Sequence, residues 1–222
     1  MAEGLQLPLL GVVDGGAPGF DAAFTTAERT WLDRECWVDL VRAWVRGHSA
    51  LFDTLRERVP WESYRRWMYE RVVDVPRLTA GRPQERIEVV EQMADALGRR
   101  YGTAFRSITF ALYRNGRDSV AWHRDKEIRE LPEAYVGLAI LGEPRPFLVR
   151  PLGGGPSVAF KPGWGDLLVM GGACQRDWEH CVPKVRHAEP RMSIMFREAR
   201  WIDMQDDPGR SSPASPGGRL TA

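Results

Sequence analysis

From residue 101 onward the chain breaks into short apolar runs bounded by Gly, Pro and Asn, and this texture constrains the fold more than any other feature. The runs are Ser107–Tyr113, Tyr135–Leu141, Pro146–Arg150, Ser157–Phe160, Asp166–Met170 and Arg191–Phe196. Each is too short for an ordinary helix and is closed by turn residues, so each reads as a strand of one sheet sandwich. The preceding stretch has another period. A capping signal at Thr26 opens a helical segment in which Trp31, Leu32, Glu35 and Val38, then Leu40, Val41 and Trp44, recur at spacings near three and four. Arg86–Arg100 repeats that period through Ile87, Val90, Met93, Ala94 and Leu97. Helices followed by many short strands make an α+β chain, and a double-stranded β-helix (jelly roll) with N-terminal helices packed on it satisfies the pattern.

At 222 residues the chain suffices for one core. Residues 22–202 are read as a single domain, with a helical layer over 22–100 and a jelly-roll core over 101–202. Residues 1–21 read as a partly irregular leader with one short strand at Leu9–Val13. Residues 203–222, rich in Ser, Pro and Gly, read as a disordered tail. A net charge of +1 neither demands nor excludes a nucleic-acid partner. Three cysteines, Cys36, Cys174 and Cys181, make no disulfide framework and fit a reducing compartment. No secretory signal and no run of about 18 apolar residues is present, so a cytoplasmic monomer without a membrane span is expected.

Two of the four histidines have unusual settings. Trp122-His123-Arg124-Asp125 puts His and Asp two apart after a strand-like segment, and on extended backbone such residues share a face. His180 follows in Trp178-Glu179-His180-Cys181-Val182-Pro183-Lys184. Two imidazoles and one carboxylate leave three open sites on an octahedral ion, the arrangement of non-haem Fe(II) oxygenases. His-x-Asp by itself is a weak signal, since surface ion pairs produce it too. His48 and His187 read as ordinary core or solvent residues.

The discriminating feature lies in Arg191-Met192-Ser193-Ile194-Met195-Phe196-Arg197. Alternation puts Arg191, Ser193, Met195 and Arg197 on one face and the apolar residues Met192, Ile194 and Phe196 on the other. Inward arginines are costly unless each meets an anion. Their Cα atoms stand about 20 Å apart on an extended strand, a span that long side chains leaning together bridge around a small dicarboxylate and its metal. An edge strand with both arginines in water is the competing reading.

These residues resemble the AlkB family of Fe(II)/2-oxoglutarate-dependent dioxygenases. The stretch Leu112-Tyr113-Arg114-Asn115-Gly116-Arg117-Asp118-Ser119-Val120-Ala121-Trp122-His123-Arg124-Asp125-Lys126-Glu127 carries the resemblance. It continues through Trp-Glu-His-Cys-Val-Pro-Lys and ends in the Arg-x5-Arg strand, with a looser match from Trp61 through Pro76-Arg77-Leu78. It implies a jelly roll, Fe(II), 2-oxoglutarate and O2, and oxidative removal of N-alkyl groups from nucleobases, with alkylated nucleic acid as partner. His123, Asp125 and His180 are then the iron ligands. Tyr113 donates to 2-oxoglutarate, Arg191 pairs with its distal carboxylate, and Arg197 sits nearer the metal. Glu127 falls where repair members read the extruded base, or else lies in a solvent salt bridge within residues 126–130. Arg65, Arg66, Arg71, Arg114 and Arg117 are candidates for phosphate contacts.

Three positions depart from the family pattern. Ala111 and Ser193 stand where many members carry Asn, although the Ser193 hydroxyl still donates to a carboxylate. Residues 81–86, Gly-Arg-Pro-Gln-Glu-Arg, lack the aromatic residues that line the lid of repair members. Two rivals follow. One is the same chemistry on a protein side chain or small molecule, and the other is a non-catalytic, cupin-like binding protein.

Overall fold

The computed structural model describes residues 16–68, 71–126 and 128–198, with the side chains of 64–68 and 71–74 outside that description. In chain order the elements are β1 (Gly19–Phe20), β2 (Ala27–Trp31), β3 (Cys36–Val41), β4 (Val45–Arg46), α1 (His48–Arg58), β5 (Glu62–Met68), β6 (Arg71–Ala80) and α2 (Glu88–Tyr101). Then follow β7 (Ser107–Tyr113), β8 (Val120–His123), β9 (Val136–Gly142), β10 (Phe147–Pro151), β11 (Val158–Phe160), β12 (Leu167–Gly172), α3 (Cys174–Asp177), β13 (Trp178–Val182) and β14 (Arg191–Arg197).

Two sheets face one another. The major sheet has eight strands in the order β2-β3-β12-β9-β14-β7-β6-β5, and the minor sheet has four, β11-β10-β13-β8. β14 lies between β7 and β9, antiparallel to both. Its alternation therefore decides what each face of the major sheet meets. Met192, Ile194 and Phe196 join Phe110, Leu112 and Leu141 in a core closed by Leu51 and Leu55 of α1 and by Val90, Met93 and Leu97 of α2. On the opposite face Ala111, Tyr113, Val136, Leu138 and Ile140 pack against Phe147, Val149, Phe160 and Val182 of the minor sheet. Burying each such apolar side chain contributes about 1.5–3 kcal/mol. The double-stranded β-helix with helices on its outer face is thus present.

The helix expected from Thr26 is not. Residues 27–41 form the antiparallel pair β2 and β3, with β3 lying between β2 and β12. Strand β3 is covered on both faces, so its apolar residues do not alternate, and a doubly buried strand mimics helical spacing. The turn feeding it is built by Asp33, whose Oδ1 accepts the backbone N–H groups of Glu35 and Cys36, both at 2.8 Å. Residues 22–100 are accordingly no helical layer. Among the described residues they contribute five strands and two helices, α1 and α2. The helix read at Arg86–Arg100 is α2, stopped by Gly102 in the left-handed region (φ 69°). The leader is partly built in, since β1 pairs with β4 and Phe20 packs 5.2 Å from Trp44. The strand expected at Leu9–Val13 and the tail 203–222 lie outside the described residues.

Glycine is required at the end of β9. Gly142 has φ 80°, and a Cβ there would stand 2.3 Å from the Pro190 carbonyl oxygen. That close approach lets β14 start beside β9 at Arg191, opposite Tyr113 on β7.

Candidate active site

The minor sheet brings the two histidines together. β13 runs beside β8 with His180 registered against His123, and the ring centroids are 4.2 Å apart. Trp178 and Val182, two residues either side of His180, point into the sandwich, so His180 does too. Asp125 follows two residues after β8. Ligand atoms of His123, Asp125 and His180 all lie within 4.8 Å of one another.

Each side chain is held by a second partner. The Nδ1 of His123 is 2.9 Å from the Ala121 carbonyl, which leaves Nε2 to face Asp125 Oδ1 at 3.7 Å. Phe147 stacks on His180 at 5.4 Å. The Asp125 backbone N–H donates to Gln175 Oε1 at 2.9 Å, and Arg197 Nε donates to Asp125 Oδ2 at 2.8 Å. Arg197 is itself steadied by Thr109 Oγ1 at 2.9 Å.

These surroundings set the protonation states. Burial pushes the His180 imidazole down to about 3, with His123 adding to the effect. His123 is also lowered, chiefly by burial. Burial alone would raise the Asp125 carboxyl, but the Arg197 charge and the two imidazoles more than offset it and hold it well below the usual carboxylate range. At neutral pH the trio is therefore two neutral imidazoles and one carboxylate. This N,N,O donor set fits Fe(II) with three positions left for other ligands.

Across the sandwich stands Arg191. It is 1% exposed, and its Nε and Nη1 find no hydrogen-bond acceptor among the described residues. Its Cζ lies 5.2 Å from the Tyr113 ring. Burial lowers this guanidinium to about 10, with a further push from Arg145. A buried cation with two such unpartnered nitrogens fits a carboxylate brought from outside. Ser193 is buried one position further along the same face of β14, opposite Ala111. Tyr113, Arg191, Ser193 and Arg197 thus line one wall, with Arg197 at the end beside Asp125.

Other sequence candidates fare differently. Glu127 lies outside the described residues, as do the side chains of Arg65, Arg66 and Arg71. Arg114 is engaged, with Nε and Nη2 on Asp118 at 2.8 and 3.0 Å. Arg117 is exposed, and His187 is exposed and outside the cluster. Three residues escaped sequence reasoning. Gln175 is 0% exposed beneath Asp125, in a helix of four residues with no motif to flag it. Arg145 is 1% exposed, yet Gly-Glu-Pro-Arg-Pro reads as a solvent turn. Arg77 borders the Tyr113 ring at 6.0 Å and its charge helps keep both imidazoles neutral. Only the short alternation Arg77-Leu78-Thr79-Ala80 at the end of β6 offered a signal.

Residues 61–210 match the family described as the 2OG-Fe(II) oxygenase superfamily. The chain is 31% identical to the alpha-ketoglutarate-dependent dioxygenase alkB homolog 3 of Bos taurus, over 76% of its own length and 67% of the relative's. It is also 31% identical to the DNA oxidative demethylase ALKBH2 of Arabidopsis thaliana, over 43% of this chain and 38% of that protein. The matched region thus spans about two thirds of the bovine relative and well under half of the plant one. A solved oxidoreductase of the 2OG-Fe(II) oxygenase family from Burkholderia pseudomallei superposes with a TM-score of 0.53 at 20% identity. That superposition covers 73% of this chain and 85% of the other, and it bears on the fold alone. A family match over more than half of the chain places the protein in the 2OG-Fe(II) oxygenase superfamily and, within it, in the AlkB family of dioxygenases that use Fe(II), 2-oxoglutarate and O2.

Proposed function

We propose that this protein oxidatively removes N-alkyl groups from nucleobases, with Fe(II) held by His123, Asp125 and His180 and 2-oxoglutarate held at its distal end by Arg191. One juxtaposition carries the reading: a two-imidazole, one-carboxylate cluster faces, across one sandwich, a buried guanidinium with two nitrogens that find no acceptor among the described residues. The relatives named as dioxygenase and as DNA oxidative demethylase support the choice of substrate.

When bound, metal and co-substrate supply an oxidant able to hydroxylate a C–H bond, and that chemistry is the cofactor's own. The chain does the rest. His123 and His180 offer lone pairs without first losing a proton. Asp125 brings the single negative charge, aimed by Arg197 and Gln175. Arg191 and Tyr113 fix the far end of the co-substrate, which sets the orientation of its 2-oxo acid end. A base extruded from its stack presents the N-methyl carbon, and hydroxylation there yields a hemiaminal that collapses to formaldehyde and free base.

The test is aerobic incubation of the Fe(II)-loaded protein with 2-oxoglutarate and oligonucleotides bearing 1-methyladenine or 3-methylcytosine. Formaldehyde and unmodified base should appear together. Glu127→Ala should lower that yield by the equivalent of about 1–3 kcal/mol while leaving 2-oxoglutarate affinity intact. Consumption of 2-oxoglutarate with no oligonucleotide demethylated would refute the nucleobase substrate.

A specific observation favours a second reading, the same chemistry on a protein side chain or small molecule. Residues 81–86 carry no aromatic ring to stack on an extruded base. Gly81 stands in open space, and Arg82 is tied back to Glu91 and to the Arg106 carbonyl at 3.3 and 3.1 Å.

A further inference from the structure

The end of the sandwich around Tyr113 holds more positive charge than one arginine accounts for. Arg145, in the turn between β9 and β10, is 1% exposed and its Cζ lies 5.6 Å from the Tyr113 ring that Arg191 borders at 5.2 Å. Its Nη1 donates to the Asn115 carbonyl at 3.1 Å and its Nη2 to the Pro183 carbonyl at 2.6 Å. It thereby ties the loop after Tyr113 to the chain leaving β13, and its Nε has no partner among the described residues.

Among the described residues no carboxylate pairs with it there. The acids whose charge reaches Arg145 are Asp118 and Glu143. Asp118 is occupied by the Arg114 guanidinium and backbone N–H, and Glu143 accepts the Glu189 backbone N–H. Two carbonyl oxygens need only neutral donors. An arginine here instead buries a charge beside a second buried charge, a cost recovered when an anion enters between the sheets.

We propose that Arg145 is a positioning and specificity-determining residue: it fixes the loops around Tyr113, and its charge makes the Arg191 end select a 2-oxo acid whose far end is an ionised carboxylate over one of equal length with an apolar end. The inference rests on the reading of Arg191 as the distal-carboxylate site. One N–H of each Arg145 Nη is held by a carbonyl, which fixes the side chain in place, and from there it acts on the Arg191 end through its field.

The experiment is anaerobic calorimetric titration of the Fe(II)-loaded protein with 2-oxoglutarate and with 2-oxopentanoate, which replaces the distal carboxylate by methyl. The readout is the ratio of the two dissociation constants, with metal content of every variant measured first. A purely structural brace would weaken both acids alike and leave the ratio alone. Arg145→Gln should cut the ratio by at least about tenfold, and Arg145→Lys, which keeps the charge, should retain most of it. An unchanged ratio in Arg145→Gln overturns the proposal. So does a ratio lost as fully in Arg145→Lys as charge removal demands, a comparison that stands even if Arg145→Gln fails to fold. Arg191→Met, run in parallel, separates the two levels. If it abolishes the preference while Arg145→Gln keeps it, the role of Arg145 alone is wrong. If it too leaves 2-oxoglutarate binding untouched, the site reading beneath the proposal is what failed.

Discussion

Replacing Arg191 by Met separates stability from binding, with opposite signs. This guanidinium is 1% exposed and leaves Nε and Nη1 unmatched among the described residues. Its fall to about 10 corresponds to roughly 3 kcal/mol against the charged form. Each unmet N–H accounts for about 1–3 kcal/mol of the same penalty. Met keeps most of the volume and the apolar stem, and it needs no partner. Swaps of this kind stabilise by about 1–4 kcal/mol when the charge was poorly compensated, and a chain of this size gains about 2–4 °C per kcal/mol. Arg191→Met should therefore melt several degrees higher than wild type without co-substrate, while binding 2-oxoglutarate about 2–5 kcal/mol more weakly. Fe(II) content should not change, because Arg191 is not among the donors. Differential scanning calorimetry and anaerobic 2-oxoglutarate titration read the two effects. A variant that melts lower and still binds 2-oxoglutarate normally would show that Arg191 is a structural brace already satisfied within the fold.

Two further outcomes follow from the metal side. Gln175→Ala removes the acceptor for the Asp125 backbone N–H and should weaken Fe(II) binding by about 10–100-fold, as outer-shell losses do; an equilibrium metal titration with an undisturbed melting temperature checks it. The metal-free protein should lose stability as pH falls from about 6.5 towards 3, because unfolding lets His180 take a proton that the folded state refuses. Below about 4 the ionised Asp125 adds a loss of the same sign. Melting curves in chelator across that range test this, and a flat profile between pH 6.5 and 4 would contradict it.

The jelly roll was legible because its strands in the second half are short, punctuated and mostly sided. β7 was read residue for residue, and β14 needed only Arg197 added at its end. β3 looks helical in sequence because burial on both faces erases the alternation on which strand recognition depends. The approach of His123, Asp125 and His180 followed from an i, i+2 pair and one distant histidine of unusual context. Gln175 and Arg145 were invisible for a different reason. Their importance comes from what lies over them in three dimensions, and neither residue type nor spacing distinguishes them from surface polar residues. Arg191 and Arg197 were legible because alternation made them inward, and inward arginines demand an explanation.

The His123–Asp125–His180 cluster is proposed as the centre that lets this chain consume 2-oxoglutarate. Succinate formed from 2-oxoglutarate in air by Fe(II)-treated wild type, His180→Ala and His187→Ala tests it most directly. Wild type and His187→Ala should form succinate at similar rates, and His180→Ala should fall to background with its iron lost. Succinate formation that survives in His180→Ala and disappears in His187→Ala would contradict the account.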